Sequence, residues 1–281
     1  MLAAVAEPIA AGAQAAEEPI ESAASKHGSD KTGTNPLNFQ RTIQAVNELD
    51  GINADAQVNY TRFRYIEPTA GGNVSLKLEV PLVYAHAAFA GSAATGGGDG
   101  GAPLGAPAGP IEGSRFGLGD VGLTLSYVPY SGRTGGVLVS LQVTAPTGTS
   151  RVLGTGKWVL APTLVYGLYL PGNAVFAPAY KQSNSFAGHA DRADVNMGTL
   201  DFYLVKLFDR GRQWVTLDPT YLLNYEKARY GGATVRAVYG RLLGRVETGV
   251  LSGYVKPGVG IGPDRPNDWS VEAGVSLVGF P

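Results

Sequence analysis

The chain has no cysteine, only three histidines, and no apolar run of the about 20 residues that a membrane-spanning helix requires. The first absence excludes disulfides and thiolate metal sites but leaves the compartment open. The second leaves little material for a nucleophile–base pair: none of His27, His86 and His189 falls in the middle of an alternating segment, and no G-x-S-x-G occurs. Charge is also scarce. Charged residues make up 16% of the 281, and the net charge is −1, so nothing points to a nucleic-acid partner. What is plentiful is glycine, at 40 residues, within a chain that is 44% hydrophobic. The apolar content is dispersed, and the period of that dispersal carries the information.

That period is two. In 73–84, Val74, Leu76, Leu78, Val80, Leu82 and Tyr84 share one parity, while Asn73, Ser75, Lys77 and Glu79 share the other. Strict alternation over such a length marks a β-strand with one apolar and one polar face. The pattern recurs around Trp158–Leu168, Val215–Tyr225 and Trp269–Leu277. Twelve segments result: 37–48, 56–66, 73–84, 117–129, 136–147, 157–169, 174–185, 198–208, 214–226, 233–243, 249–260 and 269–280. Strands in soluble sheets mostly run to about five or six residues, whereas a tilted membrane-crossing strand needs about 9–11. Twelve long strands predict an all-β fold: a closed, antiparallel, up-and-down transmembrane barrel with its apolar face outward and its polar face on the lumen.

The connections agree. Short turns at 68–72, 131–135, 171–173, 209–212 and 244–247 alternate with mostly longer loops at 86–116, 148–156, 186–197, 227–232 and 261–268; 49–55 is the short exception. Short periplasmic turns and longer outer loops place both termini in the periplasm. Aromatic residues near strand ends, among them Tyr84, Trp158, Tyr169, Trp214 and Trp269, suit interfacial girdles. Residues 1–35 read as a leader ahead of a barrel over 36–281. Within it, Ala13-Gln14-Ala15 resembles a processing site, although Glu7-Pro8 interrupts the apolar stretch and no Lys or Arg precedes Lys26. The leader is either the tail of a secretory signal or an Ala-rich disordered segment.

Several stretches resemble a family of bacterial outer-membrane proteins labelled as transporters of the meta-pathway of phenol degradation. They are Asn35-Pro36-Leu37-Asn38-Phe39-Gln40, Leu78-Glu79-Val80-Pro81-Leu82-Val83-Tyr84, Phe116-Gly117-Leu118-Gly119-Asp120, Leu153-Gly154-Thr155-Gly156-Lys157-Trp158, Asp191-Arg192-Ala193-Asp194 and Asp268-Trp269-Ser270-Val271-Glu272. The resemblance implies an outer-membrane location and a porin-like role for small, aromatic or hydrophobic solutes. The chain departs from the usual aromatic ending of such barrels, since Pro281 follows Phe280. Expected partners are outer-membrane lipid, small solutes and the barrel-assembly machinery.

Candidate chemistry is thin. Gly117-Leu118-Gly119-Asp120-Val121-Gly122 fits G-x-G-x-x-G, but an alternating segment follows where a dinucleotide site needs a helix. His189, Asp191, Asp194 and Asn196 share one loop, either as oxygen-rich ligands for Ca²⁺ or as a solvated loop in which Arg192 pairs with a carboxylate. No cofactor, metal or enzymatic activity is expected. An Arg or Lys facing mid-bilayer lipid costs about 2–4 kcal/mol, so charges within strands are assigned inward. The expected lumen residues are Arg62, Arg64, Lys77, Glu79, Asp120, Lys181, Asp201, Asp218, Arg236, Lys256 and Glu272. Both signs occur among them. They line a narrow polar pore, or they fill a salt-bridged, non-conducting barrel that serves as an anchor or binding platform.

Overall fold

Alternation along the chain becomes a ring of strands in a computed structural model, which describes residues 34–69, 71–87, 113–226, 229–247 and 249–280. The strands are β1 (Thr42–Asn53), β2 (Ala56–Pro68), β3 (Val74–Ala87), β4 (Ser114–Leu118), β5 (Val121–Ser131), β6 (Gly135–Ala145), β7 (Lys157–Leu170), β8 (Ala174–Gly188), β9 (Asn196–Phe208), β10 (Gln213–Asn224), β11 (Arg229–Val246), β12 (Gly249–Ile261) and β13 (Trp269–Val278). Apart from β4 and β5, each pairs antiparallel with its neighbour in sequence, and β1 pairs with β13 from Thr42↔Val278 to Gly51↔Trp269, closing the sheet. β4 and β5 both pair with β3 and act as one interrupted staff, so the barrel has twelve. Closure satisfies the backbone of every strand without an edge, the condition for a sheet to cross hydrocarbon.

Boundaries differ from the sequence reading in instructive places. The first strand begins at Thr42, not at 37. Residues 35–38 form a tight turn instead, with Leu37 N donating to Asn35 Oδ1 at 3.0 Å and Asn38 N donating to Asn35 O at 3.1 Å. Arg41, an awkward charge in the expected strand, lies just before it and pairs with Glu67. The expected 49–55 loop is mostly strand, turning on Ala54 and Asp55 alone. The 117–129 segment breaks at Gly119-Asp120. At the other end, Gly172 and Asn173 both take positive φ (75° and 60°), the left-handed geometry that a three-residue link between β7 and β8 needs. The processing-site candidate and most of the 86–116 loop lie outside the described residues.

Facing follows parity. Leu76, Leu78, Leu164 and Leu217 are 41–53% exposed on the outside, and Trp158 and Trp269 stand near the upper strand ends. This apolar exterior around a polar interior is the reverse of a soluble protein and suits lipid. The interior is not uniformly polar, however. Near the outer mouth Ala56, Val58, Tyr60, Val83 and Ala85 form an apolar layer that receives Leu153 from the loop 146–156. Near the periplasmic end Val175, Val205, Leu207 and Trp214 form a second. Trp214, expected in a girdle, points inward and lies over Gly240, where a Cβ would come 2.1 Å from the indole. A third cluster joins Leu37 to Val128 and Leu138, with Tyr169 against it, also inside and not in a girdle. Leu37 fits because Gly136 and Gly167 leave the wall bare; a Cβ on either would stand 2.9 Å from its Cδ1. The turn at 35–38, just before β1, therefore sits inside the periplasmic end of the barrel.

Candidate functional site: the charged interior

Between the apolar layers, inward positions of neighbouring strands carry ionised side chains of both signs. β1 supplies Glu48 and β2 supplies Arg62, two residues whose pairing is the centre of the array. Arg62 Nη1 lies 2.6 Å from Glu48 and 3.8 Å from Glu272 of β13, while Arg236 of β11 reaches the other Glu48 oxygen at 3.7 Å. Tyr254 donates its hydroxyl to Glu272 at 2.7 Å, and the Tyr60 ring lies 4.8 Å from the Arg62 guanidinium carbon. Glu48 and Glu272 stand directly opposite in the β1–β13 ladder. Two carboxylates there would repel, and Arg62 between them makes the arrangement stable.

Three further groups extend the array. Arg64 donates to Glu79 at 2.6 Å and to Gln44 at 3.0 Å. Lys256 lies 2.9 Å from Asp218. Thr220 donates to Asp201 at 2.6 Å, and Lys181 of β8 is buried in the same interior. Lys77 is half-buried on the inward parity of β3. Burial distinguishes this interior from an open water-filled pore. Glu48, Arg62, Lys181, Arg236, Lys256 and Glu272 are all at most 3% exposed, so side chains occupy the cross-section at this depth.

Asp120 sits apart from the array. It lies in the β4–β5 break, where its carboxylate accepts from Gly148 N, Thr155 N and Thr155 Oγ1 at 3.0, 2.6 and 2.7 Å. It thus ties down the loop 146–156 that delivers Leu153. Arg192 holds the same loop from the other side, donating through Nε to Thr155 O at 2.8 Å and through Nη2 to Gly154 O. Arg192 does not pair with a carboxylate there. Arg151 and Lys157 take that part, on Asp191 at 2.6 Å and Asp194 at 2.8 Å. Those hydrogen bonds hold both aspartates below the usual carboxylate range. Both acids are thus matched to cations, and among the described residues no group of three His, Cys, Asp or Glu side chains placed to hold a metal ion occurs.

Sequence reasoning missed Glu48, Asp50, Gln142 and Asn267, all buried. Glu48 and Asp50 escaped because the first strand was placed five residues early, which put them at its end and beyond; their alternation with Leu49 was the available signal. His86 does meet a serine: its Nδ1 is 2.8 Å from Ser114 Oγ. Tyr84 also donates to that oxygen, both residues are exposed, and no described acid orients the ring, so the pair lacks the third group that a hydrolytic triad uses.

Closure, an apolar belt and an interior of paired charges define the class: a twelve-stranded transmembrane β-barrel of the bacterial outer membrane. No family model matches the chain, and neither does any curated protein. Solved structures with a similar fold include an outer membrane channel from Pseudomonas putida F1, at 12% identity and a TM-score of 0.60 over 88% of this chain and 98% of that one. The KdgM porin is similar at 12% identity and 0.54, over 84% of this chain and 98% of that one. The NanC porin is similar at 10% and 0.53, over 86% and 99%. At such identities the likeness concerns the fold.

Proposed function

We propose that the barrel is a porin-like channel for small solutes, closed in the state described by its own side chains. The observation that carries this reading is the charged middle layer. Buried ion pairs contribute little net stability compared with apolar packing of the same volume, so a barrel built only as an anchor has no need of them. A path crossing the membrane does need polar groups, and the proposed lining residues are Arg62, Arg64, Lys77, Glu79, Lys181, Asp201, Asp218, Arg236, Lys256 and Glu272, joined by Glu48. Asp120 belongs to the loop anchor above them. The apolar layers at both ends favour small aromatic or hydrophobic solutes over ions, in line with the resemblance to phenol-pathway transporters. Removal of a leader and delivery by the barrel-assembly machinery belong to the same proposal.

One observation favours the competing reading, a non-conducting barrel serving as an anchor or platform: the near-zero exposure of the middle layer. Planar-bilayer recording separates the two. A channel shows rare openings in the native protein and frequent ones when Leu153→Ser and Leu37→Ser loosen the two apolar layers. A filled barrel stays silent in both. Uptake of a small phenolic compound into vesicles with and without the protein then tests the solute class.

A further inference from the structure

The outward face of β7–β10 carries a feature that conduction does not use. An exterior position at the upper end of a barrel strand is ordinarily apolar or aromatic, since it meets lipid. Here Gln182, Asn184 and Asn196 share that face. Gln182 Nε2 and Asn184 Nδ2 both donate to Asn196 Oδ1, at 3.0 and 3.1 Å, and Tyr180 donates to Gln182 Oε1 at 2.6 Å while meeting Tyr225 at 3.2 Å. Each asparagine is thereby fixed through one half of its amide. Among the described residues the other halves, Asn184 Oδ1 and Asn196 Nδ2, have no partner.

These half-open amides border a hollow of about 440 Å³ lined also by Ser185, Phe186, Asp194 and Glu226. Phe186 is 62% exposed, and its ring packs against Trp158 with centroids 6.4 Å apart. Lys157 and Ser185 both engage Asp194 Oδ1, and the exposed Glu226 lines the hollow with it. Fixed amide donors and acceptors, carboxylate oxygens and an exposed ring face suit a polyhydroxylated ring. Hydroxyls exchange hydrogen bonds with amides and carboxylates, and the axial C–H face of a sugar lies on an aromatic. The excess of acids over the single, already paired lysine argues against a phosphate.

We propose that this hollow is a saccharide-binding site. The sugar belongs either to the headgroup of an outer-leaflet glycolipid beside the barrel or to a free saccharide outside it. None of the proposed lumen residues lines the hollow, so the proposal stands whether or not the barrel conducts.

The test uses the full chain folded in detergent micelles. Native mass spectrometry follows retention of lipopolysaccharide against phosphatidylglycerol, and fluorescence near Trp158 follows titration with free N-acetylglucosamine. Asn184→Ala with Asn196→Ala should weaken saccharide binding about tenfold, the equivalent of one or two hydrogen bonds. Asn47→Ala, at an outward amide on β1, controls for a general loss of exterior polarity and should match the native protein. Retention of lipopolysaccharide alone identifies the glycolipid as the source, and a saturable response to N-acetylglucosamine identifies the free sugar. Failure of both probes in folded protein, or equal binding by the double variant, overturns the proposal. Heat-modifiable migration on gels verifies folding of each variant.

Discussion

Replacing Glu48 by alanine tests the middle layer most severely. Glu48 is 1% exposed and serves two guanidiniums, Arg62 at 2.6 Å and Arg236 at 3.7 Å. Removing one member of a buried ion pair generally costs about 3–5 kcal/mol, because the remaining charge stays buried without its partner. Glu272 at 3.8 Å partly compensates Arg62, which places the expected loss near the lower bound, about 3 kcal/mol. Glu48→Gln keeps the volume and one acceptor and should lose less. Combining Glu48→Ala with Arg62→Met should recover much of the loss, since no stranded charge remains at β2, giving a coupling of about 2 kcal/mol or more. Urea unfolding from lipid–detergent micelles, followed by tryptophan fluorescence, supplies the free energies. The same variant has a second readout. It leaves two cations facing a new gap in the cross-section, so conductance should rise with a preference for anions. A single-variant loss below about 1 kcal/mol with additive double-variant behaviour would refute the energetic argument. Unchanged conductance would refute the claim that this layer seals the path.

Three further outcomes follow from the geometry. Leu78→Arg, at an outward position 41% exposed on β3, should destabilise the barrel by about 2–4 kcal/mol in the same unfolding assay if it lies near the midplane. Lys77→Glu should shift the reversal potential under a salt gradient toward cations with little effect on folding; Lys181→Glu should impair folding instead, because that side chain is 1% exposed and its replacement would face Asp201. The outer-loop ties of Asp191 and Asp194 have carboxylates held below their unfolded values, so their contribution is present above about pH 4 and is lost as pH falls through the lower folded values. Proteolysis within 189–195 should therefore accelerate on acidification below that range, and Arg151→Ala should give the same acceleration at neutral pH.

The barrel was legible because lipid imposes one rule on every strand: apolar out, hydrogen bonds closed. Leu76, Leu78 and Leu217 obey it without reference to anything distant. What the sequence did not display is what fills the inside. Inward positions answer to partners on other strands and in loops, so the apolar faces of Val58, Val83 and Trp214 acquire meaning only once Leu153 and Gly240 are seen beside them. Asp120 was readable as buried but not as a loop anchor, since its three donors come from residues 28 and 35 positions later. The turn at Asn35–Asn38 was missed because its residues alternate as a strand would, and the decisive signal, bare glycine at 136 and 167, lies far along the chain.

The β1–β13 join has a consequence for how the ring is made. Those two strands come from opposite ends of the chain and meet last in sequence order, and nothing in a hairpin turn sets their alignment. Glu48, Arg62, Arg236 and Glu272 lie on β1, β2, β11 and β13, on both sides of that join. A slip of one residue would swing the carboxylate of the displaced strand, Glu48 or Glu272, outward into hydrocarbon. A slip of two would keep the faces but draw Glu272 away from Arg62 and Glu48 away from Arg236 across the join. The ionic cluster thus works as a keyed clasp: it admits one alignment of the first and last strands and penalises its nearest alternatives, so that closure of the cylinder and correctness of its register become a single event.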